Sequence, residues 1–226
     1  MNTLATFANL LDRLFADDQA SRATLESKVG ALPKEQRDAF FAGMADYKNF
    51  YGAVKDVHLA VSRETARLLY LLACTGNARN VVEFGTSFGL STLHLAAAVK
   101  DNCAESGGGG KVITSEFEPS KIEAARTNFD QTGLGELIEL RPGDALETLS
   151  RDLPENIDLL LLDGAKSLYP RILALVEPHL RAGAVVVADN ADMCPDYLDH
   201  VRDPSSGYLS MPFGEDVELS LRVGQG

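Results

Sequence analysis

Two rhythms divide the chain. Up to about residue 78, apolar residues recur at helical spacing. Leu4, Phe7, Leu11, Leu14 and Phe15 fall on one face of a helix. Pro33, a residue that a first helical turn tolerates, opens a second helix whose face is Phe40, Phe41, Met44, Tyr47, Phe50 and Tyr51. That aromatic face reads as packing against the rest of the protein, or as a dimer contact or pocket wall. A third helix is expected over 56–78, with Ser62, Glu64 and Thr65 at its start and Leu68, Leu69, Leu71 and Leu72 on its core face. Gly76 and Asn77 stop it. From residue 79, short apolar runs take over at 81–84, 112–114, 137–140, 159–162 and 184–187. Their apolarity is continuous rather than alternating, which marks strands covered on both faces. The segments between them, 91–100, 119–132, 144–151 and 167–181, are long enough for crossover helices. The pattern predicts an α/β fold, a doubly wound and mainly parallel sheet. Two last strand candidates, 208–213 and 217–223, joined by Gly214-Glu215-Asp216, predict an antiparallel hairpin added to it.

Composition narrows this picture. The 226 residues amount to roughly one and a half domains at about 150 residues each. A helical appendage over 1–55 and a sheet domain over 56–226 account for them. Hydrophobic residues make up 45% and charged residues 24%, a globular balance that excludes wholesale disorder. With 33 acidic against 21 basic residues the net charge is −12, which disfavours a nucleic-acid partner because such proteins present a basic patch. Cys74, Cys103 and Cys194 stand far apart with no C-x-x-C, so neither a disulfide framework nor a structural zinc site is indicated, and a reducing compartment fits. No apolar run approaches the roughly 20 residues that span a bilayer, and Asp12 and Arg13 interrupt the first apolar stretch. The expectation is a soluble, cytoplasmic protein without a signal peptide or membrane partner.

The candidate chemistry lies where the strands end. The first strand runs into Glu83-Phe84-Gly85-Thr86-Ser87-Phe88-Gly89-Leu90-Ser91. A glycine-rich turn between strand and helix lets a ligand approach the backbone, although such turns also use glycine for steric reasons alone. The spacing is G-x-x-x-G, neither the dinucleotide G-x-G-x-x-G nor a Walker A loop. Glu116, followed by Phe117, ends the second strand, where a carboxylate can accept both ribose hydroxyls; a glutamate is also at home in a first helical turn. Gly143-Asp144-Ala145 follows the third strand, where an adenine edge would lie. Asp163 ends the fourth strand, with Lys166 three residues on, and Asp189-Asn190 ends the fifth. Three oxygen ligands, Asp163, Asp189 and Asn190, suit Mg²⁺, Mn²⁺ or Ca²⁺, while Asp and Asn equally serve turns and helix caps. The histidines His58, His94, His179 and His200 show no ligand spacing, and Ser91 and Ser167 lack a hydrolase elbow. Asp192-Met193-Cys194-Pro195 reads as a pocket border or a helix entry.

Glu83-x-Gly85-x-x-x-Gly89-x-Ser91, with Ser115-Glu116 and then Ala124, Ala125 and Asn128, resembles the class I S-adenosylmethionine-dependent methyltransferases. The group it resembles most is the catechol and caffeoyl-CoA O-methyltransferases, over about residues 55–226. The resemblance implies a seven-stranded Rossmann-like sheet in the order 3-2-1-4-5-7-6 with strand 7 antiparallel. It implies that the Gly85–Gly89 loop receives the methionine part of S-adenosylmethionine, that Ser91 contacts its carboxylate, and that Glu116 holds the ribose. Glu83, Thr86, Ser87, Phe117, Gly143, Asp144, Ala145 and Asp163 complete the expected cofactor contacts. In the resembling group Asp163, Asp189 and Asn190 stand at the positions of the divalent-metal ligands and Lys166 at that of the general base. A small hydroxylated acceptor, catechol-like, and a homodimer in which one N-terminus closes the partner's pocket are implied in the same way. Three departures stand out. About 21 residues separate Asn190 from Pro212, fewer than is usual in the group. Pro212 occupies the position of a glutamate in the catechol enzymes, and Ala165 that of a bulky or acidic residue. A metal-independent methyltransferase, a nucleotide-dependent oxidoreductase and a non-catalytic cofactor-binding protein are the alternatives.

Overall fold

The computed structural model describes residues 2–36, 47–214 and 216–224. Phe40, Phe41 and Met44 of the expected second helix lie outside the described residues. Seven strands, β1 (Asn80–Phe84), β2 (Lys111–Glu116), β3 (Ile138–Pro142), β4 (Ile157–Leu162), β5 (Leu180–Ala188), β6 (Tyr208–Phe213) and β7 (Val217–Arg222), form one sheet. Its order is β3-β2-β1-β4-β5-β7-β6. The pairs among β1 to β5 are parallel, and β7 runs antiparallel to both β5 and β6.

The unbroken apolar runs explain themselves in three dimensions. Side chains alternate across a strand, and β4 has a packed layer on each side. Leu159 and Leu161 join one core with Val81, Leu93 and Val187. Leu160 and Leu162 join the other with Val82, Ile113 and Tyr169. The first layer holds α1 (Ala8–Gly30), α3 (Arg63–Thr75), α4 (Leu90–Ser106) and α5 (Pro119–Asp130). Phe7, Leu10, Leu11 and Leu14 at the N-terminus belong to that same continuous core. The opposite layer holds α6 (Ala145–Thr148), α7 (Tyr169–Val176) and α8 (Pro195–Arg202).

The structure shifts the third expected helix and decides between the two readings of 192–195, each for a local reason. The third expected helix starts at Arg63, not residue 56, because Leu59 adopts a left-handed backbone (φ 51°) that a helix cannot continue. Ser62 then caps it by accepting from the Thr65 amide. Its buried face is Thr65, Ala66, Leu69 and Ala73, while Leu71 is exposed. The segment 192–195 is a helix entry: Pro195 is the first residue of α8, so the shortened connection still carries a helix. Among the described residues, no helix is long and apolar enough to cross a membrane.

Crossovers leave β1 for one side through α4 and enter β4 from the other, so the order reverses between these two strands. In such sheets the crevice beyond the strands' carboxyl ends at the reversal point takes ligands. A further helix, α2 (Tyr47–Ala53), reaches that crevice from the N-terminal segment.

Candidate functional site

A cleft opens there, lined by residues from the ends of β1, β2, β3 and β4, with Tyr47 and Leu59. The β1 loop is fixed by the protein's own packing. Gly85 has φ +105°, and a Cβ on it would stand 2.5 Å from the Asp163 carbonyl oxygen. Gly89 has φ +85°, and a Cβ there would stand 2.4 Å from the Phe129 ring. The steric reading of both glycines therefore holds, and Gly85 also lines the cleft whereas Gly89 does not.

Glu83 is fully buried behind this loop. Ser91 and Thr114 donate to its carboxyl oxygens at 2.6 Å each, and Thr92 donates as well. Burial pushes its pKa up to about 7, against the pull of the three hydroxyls. Thr86 joins the network through Thr114, 2.6 Å away. Glu83, Thr86 and Ser91 are thus brought together, but with one another: none of them lines the cleft. Ser87 does line it. Its amide donates to Glu116 Oε2 at 2.8 Å and its hydroxyl to the carbonyl of His58, whose ring stacks on Phe88.

Glu116 is held by three backbone amides: Ser87 on Oε2, and Phe117 and Glu118 on Oε1 at 3.0 Å each. A carboxylate offers about four acceptor positions. The one left on Oε2 is available to a hydroxyl donor in the cleft. Phe117, Gly143, Asp144 and Ala145 line the neighbouring end. Asp144 caps α6 through the Leu146 amide with one oxygen and accepts from the Tyr47 hydroxyl with the other. Tyr47 also meets the Phe117 ring edge-on, 6.3 Å between centroids.

Behind Asp163, which lines the cleft, Lys166 donates to Asp163 Oδ1 at 3.2 Å and to the Tyr169 hydroxyl at 2.8 Å. The Tyr169 hydroxyl lies 2.8 Å from the carbonyls of both Leu162 and Asp189, so it ties Lys166 to the ends of β4 and β5. Burial raises the Asp163 carboxyl, and the Lys166 charge opposes the rise. Asp189 is pushed to about 8, first by burial and then by the Asp163 charge. Asn190 sits at the turn with φ 48° and donates its amide to Asp216 at 2.9 Å. Among the described residues no three His, Cys, Asp or Glu side chains form a metal-holding group. The oxygen donors Asp163, Asp189 and the Asn190 amide stand at the ends of β4 and β5, and the Asp163 charge adds to burial in raising the Asp189 carboxyl.

Three residues of this site carry no motif. Tyr169 had a faint signal, its i+3 spacing from Lys166. Lys121 had another, a cation in a first helical turn. Tyr47 had none beyond the aromatic density around it.

The comparisons with known proteins agree with this geometry. The profile of a methyltransferase domain family matches residues 82–191. The catechol O-methyltransferase of Mycobacterium tuberculosis is 35% identical over 132 residues, 58% of this chain and 57% of that protein. The catechol O-methyltransferase of Niastella koreensis is 31% identical over 135 residues, 58% of each. The chain therefore spans less than two thirds of the curated relatives it matches. Among solved structures, the O-methyltransferase TomG of Streptomyces achromogenes, in complex with S-adenosylmethionine, matches with a TM-score of 0.62 at 26% identity, over 82% of this chain and 90% of that one. The O-methyltransferase from Bacillus cereus in complex with S-adenosylhomocysteine matches at 0.64 and 20% identity, over 92% and 99%, and speaks for the fold. Strand order, the methyltransferase-domain profile over residues 82–191 and these relatives together make this chain similar to the O-methyltransferases.

Proposed function

We propose that this chain transfers a methyl group from S-adenosylmethionine to a hydroxyl oxygen of a small acceptor carrying two vicinal oxygens, as a catechol does. One observation carries the reading. A single cleft is lined by the Glu116 carboxylate at one end and by Asp163 at the other, and Lys166 stands behind Asp163, 3.2 Å from its Oδ1.

In this reading Glu116 accepts one ribose hydroxyl on its open Oε2 position, Phe117 and Ala145 flank the adenine, and Gly85 admits the methionine chain. S-adenosylmethionine supplies an electrophilic methyl group on sulfur. A divalent cation held by Asp163, Asp189 and Asn190 would supply charge stabilisation to an acceptor oxyanion. Lys166, as the neutral amine, accepts the acceptor's proton at Nζ and becomes the ammonium that pairs with Asp163, and Tyr169 keeps Nζ beside the end of β4 while it does so. Most of the barrier reduction in a two-substrate displacement comes from holding the partners in line, worth roughly 7–11 kcal/mol. The division near residue 55, a homodimer and residence in a reducing compartment belong to the same proposal.

The test is a methyl-transfer assay over catechols, flavonoids, hydroxycinnamoyl thioesters and monophenols, with and without Mg²⁺, beside calorimetry with S-adenosylhomocysteine. Turnover on vicinal diols but not monophenols is expected. Binding of NAD(P) without S-adenosylhomocysteine would replace this reading with an oxidoreductase. Product binding with no turnover on any acceptor would replace it with a binding protein. Sedimentation of the full chain reads the oligomeric state.

A further inference from the structure

Lys121 stands in the first turn of α5 and is only 4% exposed. It is the one basic side chain among the described residues that line the cleft. Its ammonium lies over the Phe88 ring, 5.6 Å from the centroid, and among the described residues no hydrogen bond or ion pair holds it. Two costs attach to this placement. A cation in a first helical turn opposes the helix dipole. A buried ammonium without a hydrogen-bond partner gives up its hydration, here for one ring contact and carboxylates at a distance. Burial accordingly lowers its pKa, while Glu116, Asp163, Glu118 and Asp56 act at a distance to keep it charged. Three of these carboxylates have partners of their own: Glu116 its backbone amides, Glu118 the amide and hydroxyl of Ser120, and Asp163 the Lys166 ammonium.

A fold that breaks a local rule in a ligand cleft does so where a ligand compensates. The ligand chemistry is anionic, and the site geometry says which anion. Ser91, the hydroxyl that the family resemblance assigns to the methionine carboxylate, is directed at Glu83 and does not line the cleft. Lys166 is engaged by Asp163 and Tyr169. The Phe88 ring under Lys121 belongs to the Gly85–Gly89 loop, where the family resemblance places the methionine part of the cofactor.

We propose that Lys121 forms the ion pair with the α-carboxylate of the amino-acid portion of S-adenosylmethionine and of S-adenosylhomocysteine. The inference rests on the cleft being the site of these nucleosides.

The test compares S-adenosylhomocysteine with its decarboxylated analogue, which keeps the amine and loses only the carboxylate. Calorimetry is run on the unmodified chain, on Lys121→Met and on Lys121→Arg. The expected result is a roughly ten- to hundredfold loss of S-adenosylhomocysteine affinity in Lys121→Met, the range of a charge-assisted hydrogen bond. The analogue's affinity is unchanged by the same substitution, and Lys121→Arg restores part of the loss. A second measurement guards against misfolding: the ligand-free Lys121→Met chain melts at or above the temperature of the unmodified chain, because an unpaired buried charge has been removed. Equal loss of affinity for both ligands, or no loss for either, overturns the ion pair. Failure of the unmodified chain to bind either ligand overturns the reading of the cleft itself.

Discussion

The hydroxyl of Tyr47 donates to Oδ2 of Asp144 at 2.8 Å across 97 residues of sequence, joining α2 to the loop after β3. This bond and the edge-on contact with Phe117 pin the N-terminal segment over the β3 end of the cleft. Tyr47→Phe removes the bond and keeps the ring. A hydrogen bond to a charged acceptor is worth about 1.5–3 kcal/mol, and here it acts on one short helix rather than on the core. Hydrogen exchange is expected to show faster exchange in α2 by that amount, with the amides of β1 and β4 unaffected. Equal acceleration throughout the chain would mean that Tyr47 supports the whole fold.

Lys166 is the residue whose loss should separate chemistry from binding. Lys166→Met removes the proton acceptor and leaves Glu116, Phe117 and Gly143 untouched. General-base catalysis contributes about 10²–10⁴-fold, so kcat is expected to fall by that factor while calorimetric S-adenosylhomocysteine affinity stays within about threefold. Tyr169→Phe, which frees Lys166 from the β4 and β5 carbonyls, is expected to give a smaller fall in kcat. A Lys166→Met chain that turns over normally would remove this lysine from the mechanism.

Asp163 and Asp189 are buried side by side, and only Lys166 pairs with either among the described residues. A bound divalent cation would stabilise the folded chain by mass action. Mg²⁺ at millimolar concentration is expected to raise the melting temperature of the unmodified chain, and Asp189→Ala to abolish that rise. Loss of turnover in a chelator should accompany it. Unchanged turnover in the chelator and in Asp189→Ala would establish the metal-independent alternative.

Glu83 gives the protein a pH dependence of defined sign. Its folded-state pKa, about 7, lies above the ordinary value of 4.5. The folded chain therefore holds this proton more tightly than the unfolded chain does. The stabilisation is complete below pH 4.5 and is lost as pH rises towards 7. Glu83→Gln cannot ionise, so its urea-unfolding free energy should fall less than that of the unmodified chain between pH 5 and pH 8. Parallel pH profiles would show that the three hydroxyls, not the proton, satisfy this carboxyl group.

What could be read from the residues alone follows from the range of the forces involved. Continuous apolarity at 159–162 requires two covering layers, and the structure supplies both, so sheet type was legible, whereas the strand order followed from the family resemblance alone. The terminal hairpin was legible because period and turn residues are local properties. The positions of the acidic residues at the strand ends were legible too. Their partners were not, because a side chain's partner is decided by tertiary packing. Ser91 sits one helical turn from the cleft by sequence, yet its hydroxyl turns to Glu83 because that buried carboxyl has no other donors than Ser91, Thr92 and Thr114 among the described residues. Tyr47 reaches Asp144 only after the intervening sheet has formed. Lys121 looks like any solvent-facing lysine of a helical pattern until α5 is laid on the sheet.

The two roles of glycine in this fold can be separated by substitution. Gly133 has φ +66° and open space around a new Cβ, so Gly133→Ala meets only the backbone penalty, about 1 kcal/mol. Gly85 has φ +105°, and its new Cβ would meet backbone atoms of Asp163 and Gly164 at 2.5–2.9 Å, which no side-chain rotation relieves. Gly85→Ala must push the β1 and β4 loops apart. It is expected to cost about 1–3 kcal/mol more than Gly133→Ala in urea unfolding, the range of an overpacked core. Because Asp163 moves with that loop, kcat should fall in Gly85→Ala and stay unchanged in Gly133→Ala. Equal stability costs at the two positions would show that the contact between the β1 and β4 loops is loose, and that Gly85 serves only its backbone angle.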